Sequence, residues 1–307
     1  MRQAFLASVV ALTTWTLALG SGAPAQAQER VSLGWGRLFS NDALGDGADR
    51  WRSASYTVSH LRGPLWSGSR PDFGEILEYR LRSEFISPEN LTLGAAGDRR
   101  YAGVLTLGLH THFEMAGLET SLGVDVAITG PQSGMSRLHD GLHDLLDMPR
   151  PMVAADQIPD DAHPTLVAEI GRDIAFGAAT LRPFAEAQAG LESFVRIGFD
   201  LAIGSYGRGA LMLREQSTGQ RYRAIKGNPD PGLTLTLGGD VAHVFDSALL
   251  PKGGAAVLRD RRERLRAGLA WQGEHRAIFL GLTWLGKEFV GQRESQVVGS
   301  LSLNLTF

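Results

Sequence analysis

The strongest constraint on the fold of this chain is an alternation of apolar and polar residues with period two, which recurs from residue 31 to the C-terminus. In VRIGFDLAI, residues 195–203, every second residue is apolar, and the residues between are arginine, glycine, aspartate and alanine. The final residues, SLSLNLTF at 300–307, alternate in the same way. Because successive side chains of a strand point to opposite faces, this pattern predicts strands with one apolar and one polar face.

Many of these segments have ten or more residues, whereas strands of globular sheets usually have about five or six. The twelve predicted strands are 31–40, 51–62, 74–85, 101–113, 118–128, 165–176, 180–190, 194–204, 232–242, 264–272, 275–285 and 295–307. Strands of about 9–11 residues are long enough to cross a bilayer at a tilt. The pattern therefore predicts an all-β fold, a twelve-stranded antiparallel transmembrane β-barrel whose apolar faces meet lipid.

Both ends of the chain agree with an exported barrel. Arg2, the apolar stretch 5–19 and the small residues around the cleavage pattern at 25–27 are typical of a signal peptide. We therefore expect residues 1–27 to be removed and residues 28–307 to form a barrel in the outer membrane of a Gram-negative bacterium. The terminal Phe307 is typical of the signal with which such barrels engage the barrel assembly machinery.

Composition excludes several other classes of protein. The chain has no cysteine, so its stability does not come from disulfides. Its formal charge of −3 argues against a nucleic-acid partner. No apolar run of about 18 residues follows the leader, so we expect no transmembrane helix.

Strand parity assigns the connections to the two sides of the membrane. An even strand count with both termini in the periplasm places four longer loops outside, at 41–50, 86–100, 129–164 and 243–263. The short turns at 114–117, 176–179 and 272–274 then lie on the periplasmic side. The connection 205–231 breaks this trend, because it is long and yet periplasmic.

The third outer loop carries a helical pattern, SGMSRLHDGLHDLLDM at 133–148. Ser133 or Ser136 could cap the helix, and its leucines follow helical spacing until the chain reaches two prolines. His139 and His143 are four residues apart and therefore share one face. This is the spacing of a zinc motif, but HDGLH lacks the glutamate of HExxH, which argues against a zinc hydrolase.

Two polar clusters fall at the predicted outer rim. The first outer loop holds Asn41, Asp42, Asp46 and Asp49, whose spacing does not match an EF-hand. The loop is either a solvated turn or a site for a hard cation, for which calcium is the natural candidate. The second cluster, GDRRYAG at 97–103, is either a rim salt bridge with an interfacial tyrosine or part of a site.

The order and spacing of these elements resemble the LpxR-type outer-membrane lipid A 3′-O-deacylases along nearly the whole mature chain. The residues that carry the resemblance are Asn41, Asp42, Asp49, Arg50, Ser53, DRRYAG at 98–103, TGPQSG at 129–134, His143, Gln157 and the final segment 288–307. The resemblance implies a twelve-stranded barrel with its site between the wall and an outer-loop helix. It also implies calcium-dependent release of the 3′-linked acyloxyacyl group of lipid A.

The resemblance further implies residue roles. His143 would be the general base that activates water, and calcium would stabilise the oxyanion. The remaining residues, grouped by implied role, are Asn41, Asp42, Ser53 and Arg99 for catalysis, Arg50, Arg100 and Tyr101 for substrate binding, and Asp42 and Asp49 for calcium. Pro149 and Arg150 stand where the family has an acidic residue after its histidine, so Asp144 and Asp147 are candidates to replace it.

Two other function classes stay open. One is an outer-membrane phospholipase that uses Ser133 or Ser136 with His143, although no G-x-S-x-G motif is present. The other is a catalytically silent barrel, either a lipopolysaccharide-binding structural protein or a small pore. Lumenal charges could line that pore, but the limited room favours a plug of salt bridges; they are Glu78, Arg80, Arg82, Glu84, Asp125, Arg196 and Asp200.

The basic stretch LRDRRERLR at 258–266 allows two interpretations. It is either a solvated strand entry or a surface that contacts lipopolysaccharide phosphates. The expected partners are lipid A or lipopolysaccharide and the barrel assembly machinery, and we expect the barrel to be a monomer.

Overall fold

The computed structural model describes residues 30–94, 97–227 and 230–305. The predicted signal peptide at 1–27, the predicted mature start at Gln28 and the terminal Phe307 lie outside these described residues. Those three predictions are therefore not tested by the structure.

Twelve long strands form the wall of a barrel. They are β1 (Val31–Asn41), β2 (Trp51–Gly63), β3 (Leu77–Ser87), β4 (Ala102–Met115), β5 (Leu118–Thr129), β6 (Asp161–Gly171), β8 (Ala179–Ala189), β9 (Glu192–Ile203), β12 (Gly232–Ser247), β14 (Arg261–Gln272), β15 (Arg276–Leu285) and β17 (Gln296–Leu305). Five further strands are short: β7 (Ile174–Phe176), β10 (Leu211–Arg214), β11 (Arg221–Ile225), β13 (Val257–Leu258) and β16 (Phe289–Val290). The helices are α1 (Met135–Leu145) and the 3-10 helices Asp42–Leu44, Pro131–Ser133 and Met152–Asp156.

The wall strands pair antiparallel with their neighbours in chain order, and the pairing of the first strand with the last closes the ring. Strand β1 pairs with β17, for example Phe39 with Leu301, and β6 pairs with β8, for example Leu166 with Ala189. The predicted twelve-stranded antiparallel barrel is confirmed. In the described part of the chain no helix is long and apolar enough to cross a membrane.

The two faces of the wall differ as the alternation predicts. On β5 the side chains of Leu122, Val124 and Val126 point outward and are 41%, 53% and 41% exposed, whereas Asp125 between them is 1% exposed in the lumen. A belt of exposed aliphatic side chains around a closed barrel is suited to hydrocarbon. We call the end with α1 and the longer loops the outer end, and the opposite end the inner end.

The bounds of some predicted strands were wrong. The predicted strand 165–176 is two elements, because β6 ends at Gly171 and β7 turns back at Gly177 to pair with β8. Gly177 has a φ of +59°, which permits that tight turn. Strand β12 runs on to Ser247, beyond the predicted end at 242, through a bulge near Val244.

The long inner connection folds back into the barrel. We call residues 205–227, which include β10 and β11, the plug hairpin. The hydroxyl of Tyr222 is fully buried and shares a 2.9 Å hydrogen bond with Oγ of Ser59 on the wall. Arg214 Nη2 donates to Asp200 Oδ2 at 2.7 Å. The connection that was too long for a periplasmic turn is therefore long because it fills the lumen.

The lumenal charges are paired with one another. Arg52 lies 2.9 Å from Glu84, 3.2 Å from Glu192 and 2.9 Å from Glu288. Transfer of a charge out of water is costly unless a partner compensates it, so such sites require matched charges. We call the ion pairs around Arg52 the lumenal network.

The basic stretch at 258–266 is largely turned inward. Arg262 pairs with Glu192 at 2.8 Å, and Arg264 and Arg266 both pair with Asp240. Because β14 alternates, these three arginines face the lumen and are not available to lipopolysaccharide phosphates.

Candidate active site

Helix α1 is the element that builds the site. It begins at Met135 after the N-cap residue Gly134, which has a φ of +73° and makes no side-chain cap. Neither predicted serine, Ser133 or Ser136, is therefore the N-cap residue, although Ser133 Oγ accepts a 3.3 Å hydrogen bond from the amide of Met135. Ser133 belongs to the preceding 3-10 helix, where its Oγ donates to the carbonyl of Gly130 at 2.7 Å.

The two faces of α1 have opposite environments. Leu138, Leu142 and Leu145 are exposed, Leu145 by 80%, whereas His139 and His143 are buried. The helix thus presents its leucines away from the barrel and its histidines toward the wall. An apolar face that points outward at the rim of a membrane barrel fits contact with lipid.

The helix docks on β3 and on the start of β4. Phe85 stacks on the ring of His139, with centroids 4.5 Å apart and planes at 6°. The hydroxyl of Tyr101 lies 3.1 Å from Nδ1 of His139. A methyl group on Gly103 would overlap the side chain of Met135, so glycine is what allows the helix to approach the wall.

His143 is held from both sides of its ring. Its Nδ1 lies 2.6 Å from the carbonyl oxygen of Pro149, so Nδ1 carries the proton and donates it to that carbonyl. In the neutral ring the lone pair is then on Nε2. Nε2 lies 3.2 Å from Oδ2 of Asp49, which can accept a hydrogen bond from this nitrogen once the ring is protonated.

The acidic partner of His143 therefore comes from the first outer loop. Asp144, one candidate for the missing acid, pairs instead with Arg150 through a 2.6 Å Oδ1–Nε hydrogen bond on the exposed side of the helix. Asp147, the other candidate, is also exposed. Neither of these carboxylates occupies the position that Asp49 has against the ring.

The neighbouring Asn41 and Asp42 shape this loop. Oδ1 of Asn41 accepts a 2.7 Å hydrogen bond from the amide of Ala43 and so caps the 3-10 helix Asp42–Leu44. Oδ2 of Asp42 accepts one from the amide of Arg50 at 2.9 Å. Both side chains thus hold the turn that precedes Asp49.

Asp42 is a buried carboxylate without a counter-charge. Among the described residues no cationic side chain lies within ion-pair distance of it. Burial, with a smaller contribution from the nearby carboxylates of Asp49 and Asp46, raises the pKa of Asp42 to about 8. A bound cation would supply the missing charge, and carboxylate oxygens are ligands that calcium prefers. The residues of this loop therefore fit calcium.

Three predicted residues lie away from the His143 ring contacts. Arg50 pairs with Glu294 at 2.8 Å. Arg99 is buried and donates from Nη1 to Oε2 of Glu288 at 2.5 Å, which joins it to the lumenal network. Ser53 is buried at a bulge of β2, and its hydroxyl has no partner among the described residues.

A cavity of about 930 Å³ lies at the outer rim beside Tyr101. Arg99, Arg100 and Lys252 contribute to its lining. Arg100 is exposed and lies 3.5 Å from Asp156. Because Tyr101 also contacts His139, this rim cavity adjoins the histidine face of α1.

Comparison with known proteins identifies the family. The family described as outer membrane protein LpxR matches residues 9–307. The chain belongs to this family. It is accordingly an integral protein of the Gram-negative outer membrane. No sequence among curated proteins matches the chain.

A solved structure of the family has the same fold. LpxR from Salmonella typhimurium aligns with 89% of this chain and 99% of its own, at a TM-score of 0.71 and 17% identity. The β domain of the Bordetella autotransporter BrkA aligns with 90% of this chain and 99% of its own, at a TM-score of 0.45 and 12% identity.

Two parts of this LpxR-family site were missed from the sequence. One is His139, which shares a buried face with His143 as the four-residue spacing indicates, but which was not assigned to the site. The other is the carbonyl of Pro149, which orients His143 although backbone groups leave no sequence signal. A ring nitrogen of each histidine and one oxygen of Asp49 all lie within 4.8 Å of one another.

Proposed function

We propose that this LpxR-family protein hydrolyses the 3′-linked acyloxyacyl ester of lipid A in the outer leaflet, with His143 as the general base. The observation that carries the proposal is the contact of Asp49 with Nε2 of His143, on a ring whose Nδ1 is bound to Pro149. In this proposal Asp49 takes the role of the acid that the sequence after His143 lacks.

The position of α1 supports a lipid substrate. Its exposed leucines would lie among acyl chains, while its histidines face the wall a helix diameter away. An acyl ester that moves from the membrane into the space between α1 and the wall would therefore pass directly from the hydrocarbon to the polar groups of the site.

The chain's own residues can perform both proton transfers. Nε2 of His143 takes a proton from water as the water oxygen attacks the ester carbonyl carbon, and Asp49 stabilises the imidazolium. The carbonyl of Pro149 keeps the proton on Nδ1 throughout. When the tetrahedral intermediate collapses, Nε2 returns its proton to the departing sugar oxygen, and the acyl group leaves as a free acid.

Asp42 and Asp49 would hold calcium. The support is the buried carboxylate of Asp42, which has no other counter-charge among the described residues. When bound there, calcium supplies positive charge for the developing oxyanion. Asn41 and Ser53 act as positioning residues, Asn41 through the cap that it gives to the first loop.

The rim cavity would receive the phosphorylated sugar of lipid A. Arg100 is exposed on its edge and Lys252 lines it, so both can approach a phosphate. Tyr101 forms the boundary between this cavity and α1. Arg50 and Arg99 act less directly, because they form ion pairs with Glu294 and Glu288.

We further propose that the barrel is inserted by the barrel assembly machinery and works as a monomer.

Mass spectrometry of lipid A tests the proposal. The chain is expressed in a Gram-negative host with calcium present, beside a His143→Ala control. We expect a mass loss of one 3′-acyloxyacyl group that is absent in the control. Unchanged lipid A, with a folded, heat-modifiable barrel in the outer membrane, would favour the silent barrel instead.

The other two function classes have less support. In the phospholipase reading Ser133 would be the nucleophile, but its hydroxyl donates to the carbonyls of Gly130 and Gly103. In the pore reading the lumen would be open, but the plug hairpin and the lumenal network occupy it.

A further inference from the structure

The cluster of Asp49, His139 and His143 has features that its use as a base alone does not explain. A general base needs one imidazole, and here two buried imidazoles converge on one carboxylate. The two rings meet edge to face with centroids 4.5 Å apart. One nitrogen from each ring and one oxygen from Asp49 lie within 4.8 Å of one another.

Each histidine is oriented through its Nδ1. His143 donates from Nδ1 to the carbonyl of Pro149 at 2.6 Å, and Nδ1 of His139 lies 3.1 Å from the hydroxyl of Tyr101. Metal-binding histidines almost always have such a partner on one ring nitrogen, which fixes the ring and leaves the other nitrogen for the metal. Phe85 stacks on His139 and restrains it further.

The donor set identifies the class of metal. Two imidazoles and one carboxylate suit a borderline ion such as Zn²⁺, whereas calcium prefers six to eight oxygens. The distance from Nε2 of His143 to Oδ2 of Asp49 is 3.2 Å. Two ligands of a tetrahedral zinc ion, each about 2.0–2.1 Å from the metal, lie about 3.3 Å apart.

We propose that Asp49, His139 and His143 form a binding site for Zn²⁺ or a similar divalent transition metal, and that the bound ion inhibits deacylation. The inhibition follows because the Nε2 lone pair of His143 cannot coordinate a metal and accept a proton from water at once. The metal site stands on the geometry alone. The inhibition rests on the proposed function.

Metal binding is measured first, and without any substrate. The full mature chain in detergent is freed of metal, equilibrated with Zn²⁺ in calcium-free buffer, and analysed for bound zinc. We expect one zinc per chain. With Co²⁺ as the probe, we expect the visible absorption bands of a four-coordinate ion.

The matched variants are His139→Phe and His275→Phe. His139→Phe keeps an aromatic ring against Phe85 but has no nitrogen, so zinc affinity should fall at least about tenfold. His275→Phe removes an exposed histidine at the inner end and should bind zinc as the parent does. Heat-modifiable migration on gels checks that each barrel is folded. Absence of zinc binding by the folded parent, or equal binding by His139→Phe, overturns the metal site.

Inhibition is then measured on lipid A with buffered Zn²⁺. We expect turnover by the parent to fall in step with zinc occupancy and to recover when a chelator removes zinc but leaves calcium. Inhibition of each variant is expressed relative to its own zinc-free turnover, and on that scale His139→Phe should require at least about tenfold more zinc than the parent for the same fractional inhibition. Activation by zinc would overturn the inhibitory role while leaving the binding site intact. If zinc binds and no lipid A is cleaved under any condition, the failure lies with the proposed function.

Discussion

The outer-rim site and the lumenal network both bury charged side chains, but only the network compensates them internally. Arg52 in the lumen meets three carboxylates within 3.2 Å. Asp42 at the rim is equally buried, and no cationic side chain of the described residues pairs with it. A buried ionisable group for which the protein itself provides no counter-charge points to a ligand, whereas a paired one points to stability.

The histidines show the same contrast. In the lumen, Nε2 of His112 is bound to Glu78 and Nε2 of His110 to Asp125, each at 2.7 Å. At the rim, two histidines instead converge on the single carboxylate of Asp49. We therefore expect substitutions in the lumen to change stability and substitutions at the rim to change chemistry.

The largest expected effect is on stability, from Arg52→Ala. This change removes the cation that Glu84, Glu192 and Glu288 share, and loss of one partner from a buried ion pair costs up to about 3–5 kcal/mol. The cost lies at or below that figure because each glutamate keeps a second arginine partner. Urea unfolding in detergent, followed by tryptophan fluorescence, measures the change. The control is Arg261→Ala, whose exposed pair with Glu263 contributes at most about 1 kcal/mol. Equal effects of the two changes would mean that the lumenal network does not stabilise the barrel.

The next effect is on turnover, from Asp49→Asn. The amide cannot stabilise an imidazolium, so kcat should fall about 100-fold while the free energy of unfolding stays nearly unchanged. Asp144→Asn is the matched control, because that acid pairs with Arg150 on the exposed face of α1. A large loss of turnover from Asp144→Asn, with little from Asp49→Asn, would reverse the assignment of the acid.

Calcium binding should depend on pH through Asp42. Its pKa is raised to about 8 in the folded chain, mainly by burial, so below pH 8 a proton competes with the metal. Apparent calcium affinity should rise about tenfold per pH unit up to about pH 8 and level off above it. Isothermal titration calorimetry in buffers of different ionisation enthalpy would show the released proton. Asp42→Asn should bind calcium more weakly and without this pH dependence.

In the metal-free protein, Asp42 should make the stability fall as the pH rises. The unfolded chain releases the Asp42 proton near the ordinary pKa of 3.8, whereas the folded chain keeps it up to about pH 8, so the contribution of Asp42 to stability is greatest at acid pH. We expect this contribution of Asp42 to be lost as the pH rises through about 8 without calcium. Metal-free stability that rises with pH across this window, in a way that Asp42→Asn removes, would contradict the raised pKa.

The smallest expected effect comes from Gly103→Ala. A methyl group there would overlap Met135 and move α1 away from the wall, so the His143 ring would lose its alignment with Asp49. A shift of this kind should lower kcat roughly tenfold with little change in unfolding. Gly94→Ala adds a methyl group that meets nothing within 4 Å and serves as control. Unchanged turnover in Gly103→Ala would show that α1 tolerates displacement.

Much of the barrel could be read from the sequence because the wall is a local pattern. Alternation with period two predicts each long strand without knowledge of its neighbours, and the histidine spacing predicts the shared face of α1. The sequence did not predict that the leucine face of α1 points away from the barrel. In water Leu138 and Leu142 would pack inward, but the surroundings of a membrane barrel are themselves apolar, so the leucines stay outside.

The sequence by itself determined the elements of this protein: twelve wall strands, the loop helix, the polar rim and the family resemblance. Only the tertiary structure decided which elements meet. Asp49 and His143 are brought together by closure of the barrel and docking of α1, and the 205–227 segment is a plug only because the closed wall surrounds it. Such contacts join residues far apart in the chain, and neither the periodicity nor the spacing of a single segment records them.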